Sequence, residues 1–274
     1  MWKLIKMDFY RLFNTKAFNV GMVVVCLIAV AHMFLSLAIV ALVHATMGDQ
    51  AAEAAGLMSI MIAQLGWLGG VDFADIVFTG TNFLTIFVGC MISASYIGSE
   101  QSCGYVKNFA GQLPNRGYMV ISKFVVTSFI QLVVLLLSAV ISGALAPVLL
   151  SKYITGYAIP TLFAGLGLRL LLHISINTLI VFLGTVTKSH AIAMVTGSIF
   201  GIGVTTIIYY MAGMLLDTIK IKINVSDYMP DGINGLINVD SVRTLAVKAV
   251  VVAVVYTAVF LITNYIIVKK RDVK

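Results

Sequence analysis

Of the 274 residues, 60% are hydrophobic and 11% charged, against about 25% charged in an ordinary soluble domain. A water-soluble globular fold is thereby excluded, and the chain reads as an all-α membrane protein occupying one domain, 1–274. The net charge of +7 is no nucleic-acid signature, because the basic residues are spread over segments between apolar runs, as membrane insertion requires.

In chain order, the N-terminus reads MWKLIKMDFYRLFNTKAF. Trp2, Ile5, Phe9, Leu12 and Phe13 recur at helical spacing while Lys3, Lys6, Tyr10 and Asn14 fall elsewhere around the helix. This predicts an interfacial amphipathic helix, the alternative being an extension of the first span. Crossing a bilayer takes about 20 helical residues, and six runs reach that length: 20–43, 76–99, 124–150, 158–187 (interrupted once, by Arg169), 191–216 and 249–268. The first run is too long for the apolar core of a signal peptide and is expected to be retained. The uncharged stretch Ala54 to Gly70 is a seventh candidate.

Charge decides between six spans and seven. With six and the N-terminus inside, the inner segments hold Lys3, Lys6, Arg11, Lys16, Lys107, Arg116, Lys123, Lys188, Lys269, Lys270, Arg271 and Lys274. The outer segments hold Lys152, Lys220, Lys222, Arg243 and Lys248 beside Asp49, Glu53, Asp72, Asp75, Asp217, Asp227, Asp231 and Asp240. That asymmetry predicts cytoplasmic N- and C-termini in a multi-pass cell-membrane protein, whereas a seventh span would carry the tail KKRDVK outside. Ala54 to Gly70 is therefore read as an outer re-entrant or interfacial segment. Short outer helices are expected around Pro230-Asp-Gly232, a turn signal between the last two spans.

Two chemistries are missing. The phosphate loop G-x-x-x-x-G-K-[ST] does not occur, and the nearest fragment, Gly184-Thr-Val-Thr-Lys188-Ser189, lacks the glycine before the lysine. His32, His44, His173 and His190 are scattered, and the glutamates are Glu53 and Glu100, so no H-E-x-x-H metal motif exists. Cys26, Cys90 and Cys103 suggest neither a disulfide framework nor a metal cluster. The chain is expected to be no enzyme, with no cofactor of its own.

Within the spans, Arg169, His173 and Asn177 are spaced by four and share one face of the fourth helix. Counting back about 20 residues from Lys188 puts Arg169 near the outer boundary. There a long side chain snorkels to water; the alternative is a place on a substrate path, with His173 and Asn177 deeper. Ala193, Gly197, Gly201 and Thr205 also repeat every four residues, a small-residue stripe that suits close helix approach, either within the subunit or at a dimer interface.

Between the second and third spans lies SEQSCGYVKNFAGQLPNRGYMVISK, residues 99–123. Tyr105, Val106, Phe109 and Leu113 recur at helical spacing beside Lys107, Asn108 and Gln112, Pro114-Asn-Arg-Gly117 makes a turn, and a helix restarts after Arg116. Connections in a bundle need only about 2–8 residues, so this longer segment suits docking of a cytosolic partner or binding of lipid headgroups. The order Glu100, Gly104, Lys107, Asn108, Pro114, Arg116, Ser122, Lys123 resembles the coupling helix of type-2 permease subunits of ATP-binding-cassette exporters. The resemblance extends to the basic amphipathic start, the six spans and the basic end.

It implies that Glu100, Gly104, Lys107, Asn108, Phe109 and Arg116 couple the membrane domain to a separate ATPase. That partner, in two copies, would supply ATP and Mg chemistry and join a second copy of the permease, with no nucleic acid involved. A permease with no large outer domain resembles those exporting amphipathic peptides, bacteriocins or other antimicrobials, sometimes for immunity. The alternatives are an ion or small-drug extruder of the same family, and a membrane anchor or sensor that recruits an ATPase.

Overall fold

The computed structural model describes residues 1–47, 71–102, 116–219 and 224–270. These residues are predominantly helical: α1 (Trp2–Asn14), α2 (Lys16–Met47), α3 (Phe73–Gly80), α4 (Phe83–Ser102), α5 (Gly117–Leu149), α6 (Ile159–Thr187), α7 (His190–Ile202), α8 (Val204–Thr218), α9 (Pro230–Leu236) and α10 (Val242–Lys270). Five segments are long and apolar enough to cross a membrane: Lys16–Ala38, Phe73–Ser99, Gly117–Leu149, Ile159–Thr187 and Val242–Lys270. Helices α7 and α8 make a sixth if that bent pair is one span. Ala54 to Gly70 lies outside the described residues.

The apolar runs become helices because nothing inside most of them breaks the backbone ladder. Pro147, the proline inside α5, sits near its end. Two runs are interrupted. The predicted second span consists of α3 and α4, parted at Thr81 and Asn82. There the Thr81 hydroxyl donates back to the Val77 and Phe78 carbonyls, 3.0 and 3.2 Å away, closing the end of α3. The predicted fifth span, 191–216, is not one straight helix, because α7 and α8 meet at 72°. Gly203, at φ 81°, takes the left-handed conformation that terminates α7 and that only glycine adopts without strain.

Helix α1 is separate from α2, the chain being extended at Thr15 (φ −81°, ψ 134°). It presents three faces. Leu4, Ile5, Asp8 and Leu12 are buried, Trp2 and Phe13 are exposed beside them, and Lys3, Lys6 and Tyr10 point elsewhere. Phe9 and Phe13 meet the Phe129 ring edge-on, at 5.0 and 6.0 Å between centroids. Asp8 accepts a hydrogen bond from Ser122 at the start of α5. Arg11 reaches the Tyr96 carbonyl at 3.5 Å and lies 4.6 Å from the centre of its ring. So α1 ties the end of α4 to the start of α5.

These contacts, with Thr185 donating to Asn264 at 2.7 Å, define the near end of the bundle, which carries the N-terminus. At the far end Val71–Asp72 and Ile154–Gly156 form a parallel two-stranded bridge, not anticipated from an all-helical reading. Asp72 caps α3 by accepting from the Ala74 amide at 2.9 Å and also accepts from the Ala158 amide at 3.1 Å. Val20, Leu27, Phe34, Ile207, Met211, Val251, Val255 and Ile262 are exposed, as suits apolar helices facing lipid.

The stripe from Ala193 lies on α4 of the same chain. Gly197 is backed by Cys90, where a β-carbon would sit 3.1 Å from the Cys90 β-carbon, and at Gly201 it would strike the Phe87 backbone. Main chain cannot move aside as a side-chain tip does. Gly201→Leu is therefore expected to part α4 from α7 and lower Tm by about 5 °C or more. Gly213→Ala, on α8 with open space around it, should leave Tm unchanged. Equal melting of the two variants would refute the close crossing. Thr205 departs from the predicted stripe because it lies beyond the bend at Gly203; it is buried beside Tyr209.

Candidate functional site

Arg169, His173 and Asn177 lie on the face of α6 turned into the bundle, and all three are at most 1% exposed. The expectation that Arg169 snorkels to a membrane boundary is thus corrected. Its Nη2 donates to the Ile237 carbonyl at 3.0 Å, and its guanidinium carbon lies 5.2 Å from the centre of the Phe78 ring. That ring can lie there because Gly165, one turn earlier on α6, has no β-carbon to run into it. Asp75 interacts electrostatically with Arg169, and its Oδ1 accepts from the Val239 amide at 2.8 Å.

What covers Arg169 is α9 and the chain after it. Pro230 begins this helix at its first position, where a missing N–H costs nothing. A short helix does stand at Pro230-Asp-Gly232, and it is packed against its neighbours, with Pro230, Asp231, Ile233 and Asn234 buried. Just before it, Met229 Sδ accepts from the Tyr256 hydroxyl at 2.9 Å. Residues 242 to 256 of α10 rise about 21 Å, so the chain at Met229 dips well below the far end of α10. Helix α9 is inserted among the spans.

Polar contacts hold it on several sides. Asn234 Nδ2 donates to Asn82 Oδ1 at 2.8 Å, at the break between α3 and α4. The Tyr209 hydroxyl, on α8 beyond the α7–α8 bend, donates to Asp231 Oδ1 at 2.8 Å. Lys248 on α10 pairs with Asp227 at 3.1 Å and lies 4.7 Å from the centre of the Tyr228 ring. The α3–α4 break and the bent pair α7–α8 are thereby both joined to α9.

In this interior Arg169 Nε and Nη1 and Asn177 Oδ1 lack a hydrogen-bond partner. Asn234 lies against His173, within reach of a side-chain hydrogen bond. Buried polar atoms are ordinarily paired, because an unpaired one loses its hydration for nothing. Unpaired donors and acceptors gathered around Arg169 and His173 make this the chemically distinctive place in the described structure. Spacing pointed to Arg169, His173 and Asn177; Asp75, Asn82 and Asn234 come from other segments and had no local signal beyond the Gly80-Thr-Asn82 break.

Of the expected coupling residues, Glu100 lies in the last turn of α4, and Arg116 immediately precedes α5. The helix restarting after Arg116 is present as α5, continuous through Lys123. Gly104, Lys107, Asn108 and Phe109 lie outside the described residues. The sequence matches no protein-family model, and comparison with curated proteins gives no significant match.

Proposed function

We propose that this chain is the permease subunit of an ATP-driven exporter, working with a separate ATPase subunit and moving an amphipathic peptide, bacteriocin or other antimicrobial. The observation that carries transport is the buried row Arg169, His173, Asn177, with donors and acceptors unpaired inside a helical membrane bundle. Ionisable and polar side chains in such an interior are costly and mark solute pathways. Interrupted membrane helices beside them suit a binding site, because irregular backbone at that depth is tolerated where it lines a polar interior. A mere anchor needs neither.

The near end is the cytoplasmic one in this reading. Helix α4 ends and α5 begins there, and α1 is fastened to both through Arg11 and Asp8. Motion imposed on the connection between them by an ATPase would reach the second and third spans together. Two permeases and two ATPases make the expected assembly, with the nucleotide and Mg held by the ATPases.

The deciding experiment is reconstitution with the partner ATPase, scanning peptides, ions, drugs and lipids for substrate-dependent hydrolysis and movement. The purified permease alone should neither bind nor hydrolyse ATP. In the coupling helix expected from the sequence, Gly104→Pro should remove a backbone donor and clash with the preceding turn, at about 3 kcal/mol or more. Transport per ATP is then expected to fall at least about tenfold, with insertion intact, and Glu100→Ala should act in the same direction. Hydrolysis by rigorously pure permease, or an assembled complex that moves no solute, would defeat the exporter reading.

A further inference from the structure

We propose that the outward face of α1 is a docking surface for anionic lipid headgroups of the near-end leaflet. Around the helix, Trp2, Phe13, Lys6, Tyr10, Lys3 and Asn14 follow one another within an arc of about 120°, and all are exposed. Asp8, the acid of this helix, lies on the opposite side, 3% exposed and accepting from Ser122. Folding thus hides the negative charge of α1 and leaves an outer face that is aromatic and cationic. Among the described residues Lys3 and Lys6 pair with no acid.

An interfacial position alone leaves the headgroup chemistry open; depth and charge together set it. Leu4 packs on Met119 at the start of α5, whereas Phe13 meets Phe129, about 15 Å further along that span. The uncharged run 124–150 begins between these two points, so α1 slants through the headgroup layer with Lys3 and Lys6 at its shallow end and Phe13 at the edge of the hydrocarbon. Tryptophan and tyrosine favour that layer, and lysine stems lie along apolar surface while their ammonium groups reach phosphate. Exposed Lys16, Lys188, Lys269 and Lys270 stand at the same end, giving a field that attracts anionic lipids and acts far more weakly on net-neutral ones. A water-soluble protein is the rival occupant, but it would have to cover Phe13 at hydrocarbon depth. The inference concerns the chain and its lipids, so its test needs no ATPase and is separable from the exporter reading.

Trp67→Phe leaves Trp2 as the sole tryptophan. The full-length protein is reconstituted in vesicles of phosphatidylcholine and phosphatidylglycerol in equal amounts, with brominated acyl chains, which quench indole on contact, carried by one lipid class or the other. Quenching of Trp2 is expected to be at least about twofold stronger when the bromine is on phosphatidylglycerol. Lys3→Gln together with Lys6→Gln should abolish that preference while Leu4, Ile5 and Leu12 keep α1 seated, so that quenching itself persists. Lys269→Gln together with Lys270→Gln, at the same end on α10, should leave the preference in place.

Equal quenching by the two lipids, a preference that survives loss of Lys3 and Lys6, or one removed as fully by the changes on α10, would overturn the proposal. Quenching by neither lipid would overturn it as well, since the outer face of α1 would then meet water or protein and not the bilayer.

Discussion

Arg169→Ala is expected to abolish transport and to destabilise the protein by about 3 kcal/mol or more. The deletion leaves the Ile237 carbonyl without its donor and a void between α6 and the Phe78 ring, and each of these costs is of order 1–3 kcal/mol. Arg169→Lys keeps the charge but loses the planar fork that simultaneously reaches Ile237 and stacks on Phe78. It should recover part of the stability and little of the transport if the guanidinium touches cargo. The two variants are to be compared at equal expression, by Tm and by transport in the assembled complex. Equal transport by both would remove Arg169 from the site.

Gly232→Ala should have a comparably large effect through a different cause. A β-carbon at Gly232 would collide with the Ser226 carbonyl and its attached main chain, and nothing there is a flexible tip. Helix α9 must then shift away from the turn Val225–Tyr228, straining the ties Asn234–Asn82 and Tyr209–Asp231. The expected loss is about 2–4 kcal/mol, with amide exchange rising across residues 225–239. Because the chain after α9 covers Arg169, the same substitution should loosen that cover and impair transport. Unchanged Tm together with unchanged exchange would show that α9 is not packed as described.

Legibility of the sequence followed the range of the interactions involved. Apolar length alone marked the spans, and the helix restart after Arg116 was visible because Pro114 to Gly117 is a local signal. The breaks at Thr81–Asn82 and Gly203 were hidden because a window long enough to detect a span averages over one or two polar or small residues. The same averaging concealed that Thr205 leaves the line of Gly197 and Gly201. Helix α9 was read as an outer element because it lies between the last two spans; its Pro230, Asp231 and Asn234 are buried, the last two by pairing with residues elsewhere in the chain. For Arg169 the face was correct and the environment was not, since its cover, Ile237, is 68 positions distant.

That distance bears on biogenesis. Asn82 and its partner Asn234 are separated by 152 positions, and at synthesis rates of about 5–20 residues per second the second arrives roughly 8–30 s after the first. Through that interval the polar break of an already emerged span has no native partner, and Asp75 waits similarly for Val239. An apolar hairpin could rest in lipid alone; this one depends on the insertion machinery, or on a shallow provisional position, until the last third of the chain is made. Docking of α9 is then the final step of maturation. Variants that weaken it should accumulate as inserted but protease-sensitive intermediates, visible in pulse–chase labelling as a lag between membrane integration and acquisition of resistance.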